Sequence, residues 1–502
     1  MKKILALMAF SGMLLSSCSD DDVTTPEEPT APTPENFTAG SADFSNYVAI
    51  GNSLTAGYSD SALFIDGQTA SYPNMLATSF MAAGGGSFSI PLMADNLGGL
   101  TLGGQALTGF GNRLILSFAS GSPSPVAKDG AGATEVSTIL SGPFNNMGVP
   151  GAKSFHLAAP GYGNIQNLAV GAANPYYVRF ATSPDATIIG DAVAQSPTFF
   201  TLWIGNNDIL SYATSGGAGV DQEGNLDPTT YGGNDITDPM VFAGVYDGLL
   251  QGLTAGGAQG VVANLPDVTT IPYFTTVPHN PVPLDADTAV LLNGAYAAYN
   301  GGLAQLQLAG LIDEDELERR TIAFEAGETN AVVLLDEDLT DLTAIDPALI
   351  NMRQATEDDL LVLTSRSFIG SLADPDNPTS INGVAIPLAD QWVLTPEEQA
   401  AVSAATEKYN ATIEGLATRY DLGFVDANAF LQVVGSTGID LSDGSTVTAT
   451  YATGGGFSLD GVHPSPRGYS LLANEFLKVI EEKYGANLPD VEPLEYTGLY
   501  ID

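Results

Sequence analysis

The segment Asn46-Tyr-Val-Ala-Ile-Gly51, running directly into Asn52-Ser53-Leu54-Thr55-Ala56-Gly57, decides how this chain is read. An apolar run without polar alternation suits a strand covered on both faces, as in parallel α/β sheets. Glycines on either side of Ser53 permit a tight strand-to-helix turn, and a helix beginning there aims backbone N–H groups at whatever Ser53 meets. Three more runs of the same kind follow: Thr198-Phe-Phe-Thr-Leu-Trp-Ile-Gly205, Gly260-Val-Val-Ala-Asn-Leu-Pro266 and Leu422-Gly-Phe-Val-Asp-Ala427. Between them, Thr395-Pro396-Glu397-Glu398 reads as a helix start, with a capping threonine, proline at the first helical position and acids in the first turn. Val402, Ala405, Tyr409, Ile413, Leu416 and Tyr420 then recur at spacings of three and four, one apolar face that leads into the last strand. Strands alternating with helices predict an α/β fold with right-handed crossovers.

The chain has 502 residues, 44% of them hydrophobic and 15% charged, which supports a sizeable core and excludes wholesale disorder. Fifteen Lys and Arg face 58 Asp and Glu, a net charge of −43. That balance argues against nucleic acid, whose phosphates need clustered cations, and disfavours polyanionic substrates and bare anionic membranes. A hydrated acidic coat suited to high salt is one reading of the charge; plain solubility at an exposed location is the other.

The single cysteine, Cys18, excludes an intrachain disulfide and any Cys-rich metal site. Lys2 and Lys3, the apolar run Ile4 to Leu15, and Leu15-Ser16-Ser17-Cys18 read as a secretory signal, since spanning a bilayer needs about 20 apolar residues. The ending resembles a bacterial lipobox, which implies cleavage after residue 17 and lipid on Cys18. Ser19-Asp20-Asp21-Asp22 reads either as a solvated tether or as an acidic export signal to the cell surface. Residues 18–43, rich in Pro, Thr and Glu, are expected to be a disordered tether. Residues 44–490 are expected to form the folded domain and 491–502 a tail. Two stretches, about 60–142 and 280–392, read as insertions. The first is Gly-rich and expected to hold loops and short helices; the second is acidic, and neither displays a strand series of its own.

Four short segments carry possible chemistry. Ser53 follows the first strand. Asn146-Met-Gly-Val-Pro-Gly151 reads as a turn able to lend a backbone N–H. Gly205-Asn206-Asn207-Asp208 follows a strongly apolar strand, at the carboxyl end where α/β sheets place ligands; its asparagine can donate to an oxyanion or simply build an Asx turn. Asp460-Gly-Val-His463 precedes an amphipathic helix (Leu471, Leu472, Phe476, Val479, Ile480), and His463 is the one histidine of three with a carboxylate three residues before it. Asp460 can fix the imidazole tautomer while His463 draws a proton from Ser53. His156 and His279 lack such a partner and read as structural or surface residues. Asp221-Gln-Glu223-Gly-Asn225-Leu-Asp227 has alternating oxygen ligands but lacks the glycine at loop position six and the acid at position twelve of a Ca²⁺ loop, so it reads as solvated.

Taken together, these blocks resemble the SGNH (GDSL-type) hydrolases, whose Ser, Gly, Asn and His come in that chain order. The resemblance implies a three-layer α/β/α sandwich around a parallel sheet of about five strands. It implies Ser53 as nucleophile, Asp460 and His463 as its partners, and an oxyanion hole of Ser53, Gly151 and Asn207. It further implies an ester hydrolase without metal or organic cofactor, expected as a monomer acting on a small-molecule, glycan or lipid ester of short to medium acyl length. With the lipid on Cys18, it would sit in the outer membrane, on the periplasmic face or the cell surface. A phospholipase or thioesterase for long acyl chains, and a non-catalytic glycan- or lipid-binding lipoprotein, are the alternatives. One position departs: Asn52 stands where the family pattern has Asp, keeping the oxygen acceptor and losing the charge.

Overall fold

Five parallel strands form the centre: β1 (Tyr47–Gly51), β2 (Asn146–Gly148), β3 (Phe199–Trp203), β4 (Gln259–Ala263) and β5 (Gly423–Val425). Their lateral order is β5-β4-β3-β1-β2, with every pairing parallel. The computed structural model describes residues 36–501 except 120 and 378, so the expected signal, Cys18 and most of the tether lie outside the described residues.

Side-chain alternation along the strands feeds two cores. Val48 and Ile50 of β1, Phe200 and Leu202 of β3 and Val262 of β4 point to one face. There they meet two helices, Pro239–Thr254 and Pro396–Arg419, the latter closed by a capping box between Thr395 and Glu398. Tyr47, Ala49, Phe199, Trp203 and Val261 point to the other face, against Tyr72–Ala82 and Pro466–Tyr484. Both sheet faces are therefore covered, which is why the strands read as continuous apolar runs. The result is an α/β/α sandwich. Its strand order reverses between β1 and β3, and open α/β sheets bind ligands at the carboxyl ends of such a pair.

Several sequence expectations are corrected. Asn146–Gly148, read as a turn, is itself the edge strand β2; three residues are too few to leave an apolar signature. Residues 60–142 carry short strands as well as helices: a three-stranded sheet includes Leu100–Leu102, and Leu114–Ser117 pairs antiparallel with Ser124–Ala127. The 280–392 excursion has a hydrophobic core of its own, built on the helix Ala286–Leu308 and the paired strands Val333–Leu335 and Met352–Gln354. The folded body also starts before Phe44. Thr38 and Asn487 exchange backbone hydrogen bonds at 2.9 Å, and one compact unit runs Phe37–Asp502. The tail is packed too: Tyr500 lies under the Arg113 guanidinium, and the Leu116 N–H donates to the Tyr500 carbonyl. Among the described residues no helix is long and apolar enough to cross a membrane.

Candidate active site

Ser53 opens a one-turn helix, Ser53–Ala56, directly beyond β1. A Cβ on Gly51 would stand 2.3 Å from the Trp203 carbonyl oxygen, so only glycine lets β1 and β3 run this close at their carboxyl ends. Asn52 is fully buried; its Oδ1 accepts the Leu54 N–H at 3.0 Å and its Nδ2 donates to Asn206 Oδ1 at 2.9 Å. The serine is thus fixed by a cap on one side and by the loop after β3 on the other. Its own N–H stands in the first helical turn, where no intrahelical acceptor exists.

His463 and Asp460 come from the loop before the helix Pro466–Tyr484. The His463 Nε2 lies 2.9 Å from Ser53 Oγ, and its Nδ1 lies 3.0 Å from Asp460 Oδ2. With a carboxylate against Nδ1, that nitrogen carries the proton and Nε2 is left to accept one. Asp460 Oδ1 accepts the N–H groups of Val462 (2.9 Å) and His463 (2.8 Å), and Oδ2 also accepts that of Ser61 (2.9 Å). Burial pushes this carboxyl upward, but His463 and the backbone donors outweigh it and hold it at about 2. It is ionised at any ordinary pH.

The loop is itself braced. Ser465 Oγ donates to the Gly455 carbonyl at 2.6 Å, Tyr469 Oη donates to the Tyr58 carbonyl at 2.8 Å, and the Tyr58 ring lies 4.7 Å from the imidazole. Asp60 adds a link that the sequence does not disclose. Its N–H donates to Ser458 Oγ and its Oδ1 accepts the Leu459 N–H, both at 2.9 Å, joining the segment after Ser53 to the segment before His463.

Asn207 begins the helix Asn207–Thr214 beyond β3. One hydrogen of its amide goes to the Ala152 carbonyl at 2.9 Å, and among the described residues the second has no acceptor. Asp208 accepts the Ser154 N–H at 2.8 Å and the Ser154 hydroxyl at 2.7 Å, drawing the loop after β2 onto this helix. Gly151 lies in that loop, two residues past Val149, whose N–H donates to the Gly51 carbonyl at 3.0 Å. Asn206 and Asn207 line the recess beside Ser53; Gly151 does not.

That recess is walled mainly by apolar side chains, among them Leu54, Trp203, Leu210, Val268, Phe430 and Leu471. A second, more polar groove meets it at His463 and is bordered by Tyr58, Tyr273, Tyr451 and Arg366. Leu363, Thr364 and Arg366 come from the 280–392 excursion, so that excursion forms part of the wall.

The remaining histidines are elsewhere. His156 Nδ1 accepts the Lys153 N–H at 3.0 Å and its ring stacks on Tyr162; burial, helped by Lys153, lowers it to about 4. His279 lends its backbone carbonyl to the Val332 N–H. In the 221–227 loop the oxygens are engaged locally: Asp221 accepts the Glu223 N–H, Glu223 pairs with Lys408, and Asp227 caps a short helical turn.

No protein-family model matches the chain, and no curated protein matches it. Among solved structures, a chain from Parabacteroides merdae ATCC 43184 described as a "putative GDSL-like lipase" aligns at 9% identity, over 88% of this chain and 98% of that one, with a TM-score of 0.31. At that score the likeness carries no argument; the fold stands on its sheet order and covered faces.

Proposed function

We propose that this protein is a serine ester hydrolase of the SGNH (GDSL) type. The observation that carries the reading is the hydrogen-bonded line Ser53–His463–Asp460 at the switch point of the sheet, opening into an apolar recess. In this reading Ser53 Oγ attacks an ester carbonyl as His463 Nε2 takes its proton, and Asp460 stabilises the imidazolium. The amide of Asn207 and the N–H of Ser53 meet the developing oxyanion, each donor contributing about 10²–10³ in kcat. His463 then protonates the leaving alcohol, and water releases the acyl enzyme.

The apolar recess supports an acyl group, and the polar groove beside His463 supports the alcohol, such as a glycan or glycerol part. Short to medium acyl chains are the proposed substrates. Lipidation at Cys18 would hold the enzyme at the outer membrane, facing the periplasm or the cell exterior.

The test is hydrolysis of p-nitrophenyl butyrate by the chain from Ser19 onward, beside Ser53→Ala and His463→Ala. Both variants should lose at least about 10³-fold in kcat/KM while keeping the wild-type circular dichroism. A folded wild type without turnover on acetate, butyrate, octanoate and palmitate esters would favour the binding-protein alternative. Preference for palmitate would move the proposal to the long-chain lipases.

A further inference from the structure

Away from Ser53, three acidic side chains converge where the 280–392 excursion meets the body. Glu337 follows the strand Val333–Leu335, Asp390 opens the helical turn Asp390–Trp392, and Glu398 lies in the first turn of Pro396–Arg419. One carboxylate oxygen from each lies within 4.8 Å of the other two. Acidic clusters are common in a chain of net charge −43, so proximity alone decides nothing.

Glu398 sets this cluster apart. The residue is 5% exposed, its Oε2 accepts the Thr395 N–H at 2.7 Å, and its Oε1 is buried with no donor. Leaving a buried carboxyl oxygen unsatisfied costs about 1–3 kcal/mol, and more when it is charged, and folded proteins seldom do so without reason. The space for this carboxyl is kept open by Gly217, whose φ is +79° and where a Cβ would stand 1.7 Å from Oε1. Among the described residues no lysine or arginine pairs with Glu337, Asp390 or Glu398. Arg319, the cation that reaches the adjacent Glu397, is shared between that residue (3.3 Å) and Asp336 (2.8 Å). Burial chiefly, with repulsion from the neighbouring acids, raises Glu398 to about 8 and Asp390 to about 6.

We propose that Glu337, Asp390 and Glu398 bind a hard divalent cation, Ca²⁺ in preference to Mg²⁺, which pins the excursion to the start of the helix Pro396–Arg419. Carboxylates alone select hard cations over soft ones. Ca²⁺ holds oxygens at about 2.3–2.6 Å, so ligands on opposite sides stand up to about 5 Å apart. The 4.8 Å limit enclosing these three oxygens fits inside that span, with water completing the shell. Mg²⁺ demands ligands at about 2.0–2.1 Å in a stricter octahedron. The cation supplies the positive charge that Glu398 Oε1 lacks and removes the repulsion within the cluster. A proton shared by Glu398 and Asp390 is the competing occupant.

The experiment does not depend on the hydrolase reading. The full chain is stripped with EDTA, then titrated with CaCl2 by calorimetry and melted with and without Ca²⁺, beside Glu398→Gln and Asp390→Asn. One Ca²⁺ should bind per chain and raise Tm by linkage. Each variant should weaken that binding about tenfold or more. In EDTA, each should melt at or above the wild type, because repulsion is gone. This crossing of stabilities is what a merely structural carboxylate would not produce. Absence of heat and of any Tm shift at millimolar Ca²⁺ would assign the cluster to the shared proton and overturn the proposal. Undiminished binding in both variants would overturn it as well, and Mg²⁺ binding as tight as Ca²⁺ would overturn the preference.

Discussion

Asn52 is the position where the chain departs from the Gly-Asp-Ser-Leu pattern, and its two hydrogen bonds account for the change. An ionised aspartate could accept from Leu54 but has no hydrogen for Asn206 Oδ1, which the asparagine amide supplies. Asn52→Ala should lose the cap, about 1 kcal/mol, and leave Asn206 Oδ1 buried without its donor, about 1–3 kcal/mol more. Urea unfolding reads the sum. Because the lost bonds orient Ser53 and the Asn206–Asn207 turn without touching substrate, kcat on p-nitrophenyl butyrate should fall while KM stays near wild type. A rise in KM alone would mean that Asn52 shapes the recess instead. Ser53, Asn207, Asp460 and His463 were legible because each sits in a short pattern of its own at a strand or helix end. The Asn52–Asn206 bond was not: the partners are 154 residues apart, and only the adjacency of β1 and β3 brings them together.

At the scale of elements, legibility followed burial. The strands β1, β3 and β4 are apolar because helices cover both their faces, so sequence alone located them. Inside the excursion the strand Val333–Leu335 does lie in an apolar run, Ala331 to Leu335, but its partner Met352–Gln354 carries a buried arginine at its centre and leaves no such signature, for its stability is partly ionic. Arg353, on the strand Met352–Gln354, is 2% exposed; its Nε meets Asp336 at 2.5 Å, and two other nitrogens meet both oxygens of Asp359 at 2.6 and 2.7 Å. These charges are far apart in the sequence pattern and look solvated until the fold encloses them. Arg353→Met should cost about 3–5 kcal/mol, since Asp359 is left as a buried charge without its cation. Arg353→Lys should recover little, because one ammonium cannot serve the two-pronged geometry. Unfolding measured by urea checks both. Loss below about 1 kcal/mol for the methionine variant would make the network dispensable. The excursion also walls the groove through Leu363 and Arg366, so a folded but loosened variant should alter KM for bulky alcohols before it alters that for p-nitrophenol.

Across the whole molecule, a net charge of −43 opposes compaction, and added salt should raise Tm by screening it. That diffuse effect can be separated from a local one centred on Asp60. Asp60 is 2% exposed; its Oδ1 accepts the Leu459 N–H, but its Oδ2 is buried without a donor. Burial foremost, with Asp460 adding and Leu459, Arg113 and His463 opposing, raises its carboxyl from 3.8 to about 7. Between these values the folded state holds a proton that the unfolded chain releases. Stability therefore falls as pH rises from about 4 to about 7 and levels off above, an effect on the order of a few kcal/mol. Asp460 works in the opposite sense: held at about 2, it gives stability that is complete above its ordinary value and lost only as pH falls towards 2. From pH 5 to 7.5 Asp460 is silent and Asp60 is not. In 0.5 M NaCl, where the long-range field is largely screened, the unfolding free energy of the wild type should decline over that interval. Asp60→Asn should decline less and be the more stable protein at pH 7.5. Equal slopes for the two proteins would assign the pH dependence to other acids and leave Asp60 only its hydrogen bond to Leu459.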